Sequence, residues 1–302
     1  MASIDISWLV YDPLPVVVLE DQVQWQNLDL NQVMKWAFLW ELIYKSSHRI
    51  INSGVFDAND CNDKFKNLGA SYVTAFLNAI VCTTLGTYHL VNLWGAPDKK
   101  RYVMAQHAYD PWYSDTESAR YSAYAFTGWL LCDIIHVLLN FGPKQLGGWD
   151  TVVHHAVFAT LVSTCVGYGI CPFAAAWLFC GELSSLPLNV RFFLINTGHG
   201  ATSAMTAANV LFAATFFLTR VALYWFGLFD YMRSGPRQLV AHGTPTLLVL
   251  GISFLLVFGA ALNLFWFTQI VQIAIGRPRK QKSDKSAQPP PTQEAATRAK
   301  QD

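Results

Sequence analysis

The sequence predicts an all-α polytopic membrane helical bundle, with six or seven transmembrane helices around a lipid-accessible polar interior. Three observations carry this prediction. Hydrophobic residues fill 53% of the 302 positions and charged residues only 14%, against about 25% charged in an average soluble domain. The apolar residues gather in stretches of roughly 20, the length an α-helix needs to cross a bilayer. Inside those stretches the polar residues recur at helical spacing, so they form stripes.

The N-terminal segment, 1–63, has Asp5 where the basic region of a signal peptide would lie. Its apolar part is broken by Asp12, Pro13 and Pro15, so the first spanning helix is expected to direct targeting. A helix over 34–54 carries Lys35, Glu41, Lys45, His48 and Arg49. It reads either as a span or as an amphipathic interfacial helix, and seven spans are favoured over six. The main domain, 64–275, holds spans at 69–94, 121–141, 149–170, 172–196, 207–229 and 246–275. Their connections are a charged loop at 95–120, a Gly-Pro/Gly-Gly turn at 142–148, the Cys171-Pro172 junction, a polar loop at 197–206 and a basic, proline-containing loop at 230–245. The remainder, 276–302, is basic and then rich in Pro and Gln, and is expected to be a disordered tail. Arg277, Arg279, Lys280, Lys282 and Lys285 directly follow the last span, which puts the C-terminus in the cytosol by the positive-inside rule. Lys99, Lys100 and Arg101 would then fall on the opposite side.

Ionisable groups inside spans cost roughly 2.5–3.5 kcal/mol each on insertion scales, so a chain that keeps several of them is expected to use them. Asp133, His136 and Asn140 share one face at i, i+3, i+7, and Glu182, Ser185 and Asn189 repeat that spacing, with Arg191 on an adjoining face. Asn78, Cys82 and His89 form another stripe, Arg220 lies one turn from Tyr224, and the last span contributes Asn263. Counting residues to the helix ends places His136, His154, His155 and Arg191 about 8 Å from the same membrane face. Asp133 and Glu182 fall nearer the midplane.

Such a layer suits acyl transfer. A desolvated histidine stays neutral and able to act as base or nucleophile. On this reading His154 or His155 is the base, Asp133 or Glu182 orients it, and Arg191 clamps an anion. His136, Ser185 and Asn189 complete the substrate-binding set. Plainer roles stand beside these: an interhelical hydrogen bond for His136, a structural ion pair between Glu182 and Arg191, and a carboxylate partner for Arg220.

Other chemistries are disfavoured. Net charge is +1, so no basic field argues for nucleic acid. The six cysteines lack CxxC pairing and read as buried apolar residues. The clustered histidine boxes of membrane di-iron enzymes and the HExxH zinc spacing are absent, so neither a metal nor a tightly bound cofactor is expected. A transporter would be expected to show inverted repeats or paired broken helices, and none is evident.

The ordered set Asp133-x-x-His136, His154-His155 and Glu182-Leu-Ser-Ser-Leu-Pro-Leu-Asn189-Val-Arg191 resembles the TLC domain shared by TRAM, Lag and CLN proteins, over about residues 64–275. The Glu182 segment looks closer to the TLC-domain-containing branch than to the ceramide synthases. The resemblance implies a bundle around a lipid-accommodating cavity, residence in the endoplasmic reticulum, and action on or around membrane lipids. In the ceramide synthases, which transfer an acyl chain from acyl-CoA to a sphingoid base, a double histidine is catalytic and would map onto His154 and His155. This sequence departs from their longer signature. Phe158 and Thr160 come after the pair, and no His-Asp-x-x-Asp segment lies beyond it. Two functions are therefore expected: acyl transfer to a lipid amine or hydroxyl with acyl-CoA as co-substrate, or a non-catalytic lipid-binding regulator, sensor or cargo-handling protein.

Overall fold

A computed structural model describes residues 29–55, 61–96, 101–102, 115–141 and 149–275. The expectations for the extreme N-terminus, the 142–148 turn, the Asn140 side chain and the tail at 276–302 lie outside the described residues. Seven helical rods are present among the described residues, with no strand. They are α1 (Leu30–Asn52); α2 (Asp63–Trp94); α3 (Asp115–His136, prolonged by a π-helical turn, Val137–Phe141); and α4 (Trp149–Tyr168). Next comes α5, made of Pro172–Cys180, a 3-10 segment Gly181–Ser184, and Ser185–Asn196. In α6, Ser203–Thr215 and Tyr224–Ala241 flank a π-helical stretch, Phe216–Leu223, and α7 is Thr246–Ala274. Six of the seven, α2 to α7, are long and apolar enough to cross a membrane, so the chain is a multi-pass integral membrane protein.

Local chemistry sets the helix starts. Asn62 caps α2 by accepting from the Phe65 N–H at 2.9 Å, and Asp63 adds a negative charge to the first turn. Thr202 caps α6 in the same way. Pro172 opens α5 at a position where a missing N–H costs nothing, just after Cys171 turns the chain through the left-handed region.

The chain divides into two compact units, 1–267 and 268–302. In the first, the opening half of α5 is enclosed on nearly all sides, with Phe173, Ala174, Ala176, Trp177, Phe179 and Cys180 buried. Two glycines set the closest helix approaches. A β-carbon on Gly86 of α2 would lie 2.7 Å from Phe179 Cβ, and one on Gly128 of α3 would lie 2.8 Å from the Ala37 N of α1. Small residues of this kind let membrane helices pack backbone to backbone. The outward face of α7 is apolar, with Leu247, Leu250, Phe254 and Phe265 exposed. The described part of the second unit is the last turns of α7, where Val271, Ile273 and Ile275 are exposed.

Two sequence expectations change. The stretch expected to be a loop at 230–245 is helical to Ala241, running through Pro236. Arg101 is not a free loop charge, because it is buried against Asp230 of α6 at 2.9 Å and stacks 3.9 Å over the Phe173 ring. Its neighbour Tyr102 donates to the other Asp230 oxygen, and its own carbonyl accepts from the Cys171 N–H. Burial, together with the hydrogen bond to Asp230, pushes the Tyr102 phenol up, so it remains a neutral donor.

Candidate functional site

The polar interior is built where two helices depart from α geometry. Pro187 has no N–H for the Leu183 carbonyl and would crowd it, and the chain just before it tightens into the 3-10 segment Gly181–Ser184. In a 3-10 turn residues three apart eclipse, so Ser185 stands over Glu182 and donates to its Oε2 at 2.8 Å. Facing this segment, the π stretch of α6 carries Arg220. Arg220 donates to Glu182 Oε1 at 2.7 Å, to Ser184 Oγ at 2.8 Å, to the Gly181 carbonyl at 3.1 Å and to Ser185 Oγ at 3.3 Å. The Glu182–Arg220 pair is nearly dry, the two side chains being 10% and 12% exposed. Irregular membrane backbone is tolerated where its freed groups find partners or line a cavity, and the Gly181 carbonyl finds Arg220.

The pair borders a narrow cavity whose lining includes Phe126, His154, Phe158, Tyr224 and Asn263. As it stands the space admits about one water. His154 is packed by Phe158, with ring centroids 4.4 Å apart, and by Trp266 at 4.9 Å. Its buried Nδ1 has no hydrogen-bond partner, and neither has the buried Oδ1 of Asn263. Buried polar atoms are rarely left unsatisfied, because each costs roughly 1–3 kcal/mol.

His155 points to another side. Its Nδ1 lies 3.0 Å from Asp133 Oδ2 of α3, within ion-pair distance, but the carboxylate is off the ring N–H axis and no aligned hydrogen bond forms. Trp129 flanks it, with centroids 5.3 Å apart. The two histidine rings are themselves 5.7 Å apart.

The expected layer of three histidines and Arg191 does not assemble. His136 faces α1, where its Nε2 meets Glu41 Oε2 at 2.7 Å and the Tyr44 ring lies 4.0 Å away. Arg191 donates to Asn209 of α6 and sits 5.2 Å over the Phe212 ring, so the guanidinium at Glu182 belongs to Arg220. For Arg191 the physical reason is helical phase. Four residues of 3-10 helix turn about 80° further than four of α-helix, so spacing counted across Gly181–Ser184 misplaces the residues beyond it. Asn189 is buried, with its Nδ2 unpartnered, and is not among the residues lining the cavity. The structure thus groups His154, Glu182, Ser185, Arg220 and Asn263, sets His155 with Asp133 beside them, and separates His136 and Arg191. Glu41 and Cys132, which the sequence patterns did not single out as site residues, lie with His136.

Comparison with protein families gives a match to the model described as TLC domain over residues 70–272. No curated protein matches the chain.

Proposed function

The chain belongs to the TLC-domain family, and on that premise we propose that it acts on membrane lipids at the His154 cavity, transferring an acyl chain from acyl-CoA to a lipid amine or hydroxyl. One observation supports this most. Two buried, unpartnered polar atoms, His154 Nδ1 and Asn263 Oδ1, belong to residues lining one cavity beside an ion pair. A substrate amine could donate an N–H to each, and a substrate hydroxyl would donate to one of them. His154 then accepts the proton as that group attacks the thioester carbonyl carbon, and returns it to the departing CoA sulfur. Arg220, held by Glu182, is the positive group nearest to stabilise the oxyanion. His155 and Asp133 position the pair. The endoplasmic reticulum is the compartment this reading expects, with the basic tail after α7 in the cytosol.

The narrowness of the cavity favours a second reading, a lipid-binding regulator or sensor in which the same groups hold a head group without chemistry. Purified protein in nanodiscs, given acyl-CoA and a panel of lipid amines and alcohols, separates the two. Acylated lipid formed by the wild type and lost in His154→Ala supports transfer. Wild-type lipid content restored in null cells by His154→Ala overturns it and leaves the regulator.

A further inference from the structure

Away from that cavity, among the described residues, one group of three His, Cys, Asp or Glu donors gathers closely enough to hold a metal ion: Glu41, Cys132 and His136, whose ligand atoms all lie within 4.8 Å of one another. We propose that these three residues form a zinc(II) site between α1 and α3, with a fourth coordination position open to water.

Cys132 and His136 are four residues apart, so their side chains leave the same face of α3 one turn apart. Glu41 meets them from α1. Its Oε2 is the hub, 2.7 Å from His136 Nε2 and 3.6 Å from Cys132 Sγ. Its other oxygen, Oε1, is held at 3.2 Å by Lys45, which fixes which oxygen faces inward. The frame around the donors is rigid. The Trp40 indole N–H, next to Glu41 in the chain, donates to the Ala125 carbonyl at 3.0 Å. Gly128, one turn before Cys132, brings the two helix backbones into contact. The Tyr44 ring covers the His136 ring.

Imidazole nitrogen, thiolate sulfur and carboxylate oxygen are the donors zinc takes, with bonds of roughly 2.0–2.3 Å. A tetrahedral centre built on those bonds separates its ligand atoms by about 3.3–3.8 Å. The 3.6 Å contact already fits this range, and the 2.7 Å contact must open by roughly half an ångström when metal replaces the proton between His136 and Glu41. On binding, the thiol proton leaves to water and the imidazole carries its one proton on Nδ1, so that Nε2 meets the metal as a neutral ligand. Two positive charges then meet one thiolate and one carboxylate, a neutral centre that suits an apolar surround. Three protein ligands leave one position open, as in zinc sites that bind a water or a substrate.

The test uses the full chain in detergent, stripped with chelator and titrated with Zn²⁺ or Co²⁺ alone. The expected result is one metal per chain and a cobalt spectrum with a thiolate charge-transfer band. Affinity should fall more than about 100-fold in Cys132→Ser and in His136→Gln, beyond the 10–100-fold that loss of an outer partner costs. Cys61→Ser should bind like the wild type. A measurement on the wild type alone guards against variants that fail to fold: Zn²⁺ should protect the Cys132 peptide from maleimide, reversibly with chelator, by mass spectrometry. Uptake equal in wild type and both variants, or alkylation of Cys132 unaffected by Zn²⁺, overturns the site and leaves a His136–Glu41–Lys45 ion pair.

Discussion

The two histidine-bearing centres of this bundle solve the same problem by different means. At Glu182–Arg220 both partners are about nine-tenths buried, and the backbone on each side is irregular, 3-10 in α5 and π in α6. At Glu41–His136, α1 is regular and α3 stays α-helical through His136, its π-helical turn beginning at Val137; Glu41 is 30% exposed and its partner Lys45 is 70% exposed. Deep in the bundle no water is available, so the charges are satisfied by carbonyl and hydroxyl groups that only a distorted helix presents. Nearer the surface, solvent shares the work, and neither Glu41 nor His136 lies within an irregular turn. The first centre should therefore be costly to disturb and the second tolerant.

The largest expected effect lies in the chemistry of the deep centre. His154→Ala should lower acyl transfer by roughly 10²–10⁴-fold, the usual worth of a positioned base, measured as acylated lipid per minute in nanodiscs. His136→Ala should leave that rate within a few-fold, because its contacts lie on α1. Equal losses would join the two centres into one site and break the comparison.

Stability comes next. Glu182→Ala strands Arg220 in a dry interior and should cost about 3–5 kcal/mol, whereas Glu41→Ala, beside an exposed lysine, should cost about 0–1 kcal/mol. Unfolding of the detergent-solubilised proteins by heat or denaturant measures both. Replacing Glu182 and Arg220 together with leucine should recover most of the loss, since no uncompensated charge remains.

Much of this was legible in the chain, for identifiable reasons. Long apolar stretches report helices whatever their partners, so the last six rods were expected close to where they lie. Four boundaries extend: α2 starts at Asp63, where Asn62 caps it, α3 starts at Asp115, α6 starts at Ser203, and α6 runs on through Pro236 to Ala241. The meeting of Asp133 with His155 follows from stripes on regular helices. The sequence offers Arg220 a carboxylate partner but does not choose it over Arg191 at Glu182, since helical phase is lost across a 3-10 segment and a π stretch. Nor was Glu41–Cys132–His136, whose members come from helices 91 residues apart, as Cys132 and Glu41 show. No local spacing encodes such a group.

The α1–α3 seam offers a sharper contrast at intermediate cost. Gly128→Leu forces a side chain into the Ala37 backbone and should cost about 1–3 kcal/mol by overpacking. It should also weaken zinc uptake while sparing lipid acylation, because no residue of α1 lines the His154 cavity. Loss of both activities together would show that α1 supports the deep centre too.

A small effect on turnover is expected at Arg191, which is why it discriminates. Its guanidinium reaches the Asn209 amide oxygen and the Phe212 ring, neither of which carries a charge, and it is partly exposed. Truncation to alanine removes one hydrogen bond and one cation–π contact of an open kind, each worth roughly 0.5–1.5 kcal/mol. Arg191→Ala should therefore shift unfolding by no more than about 3 kcal/mol and leave lipid acylation unchanged. Arg220→Ala, by contrast, leaves Glu182 buried and unpaired and should abolish both stability and turnover. Helical spacing alone ranks Arg191 as the anion clamp, whereas the irregular backbone ranks Arg220. A rate that falls in Arg191→Ala but not in Arg220→Ala would mean that the working helix α5 keeps α phase through Gly181–Ser184.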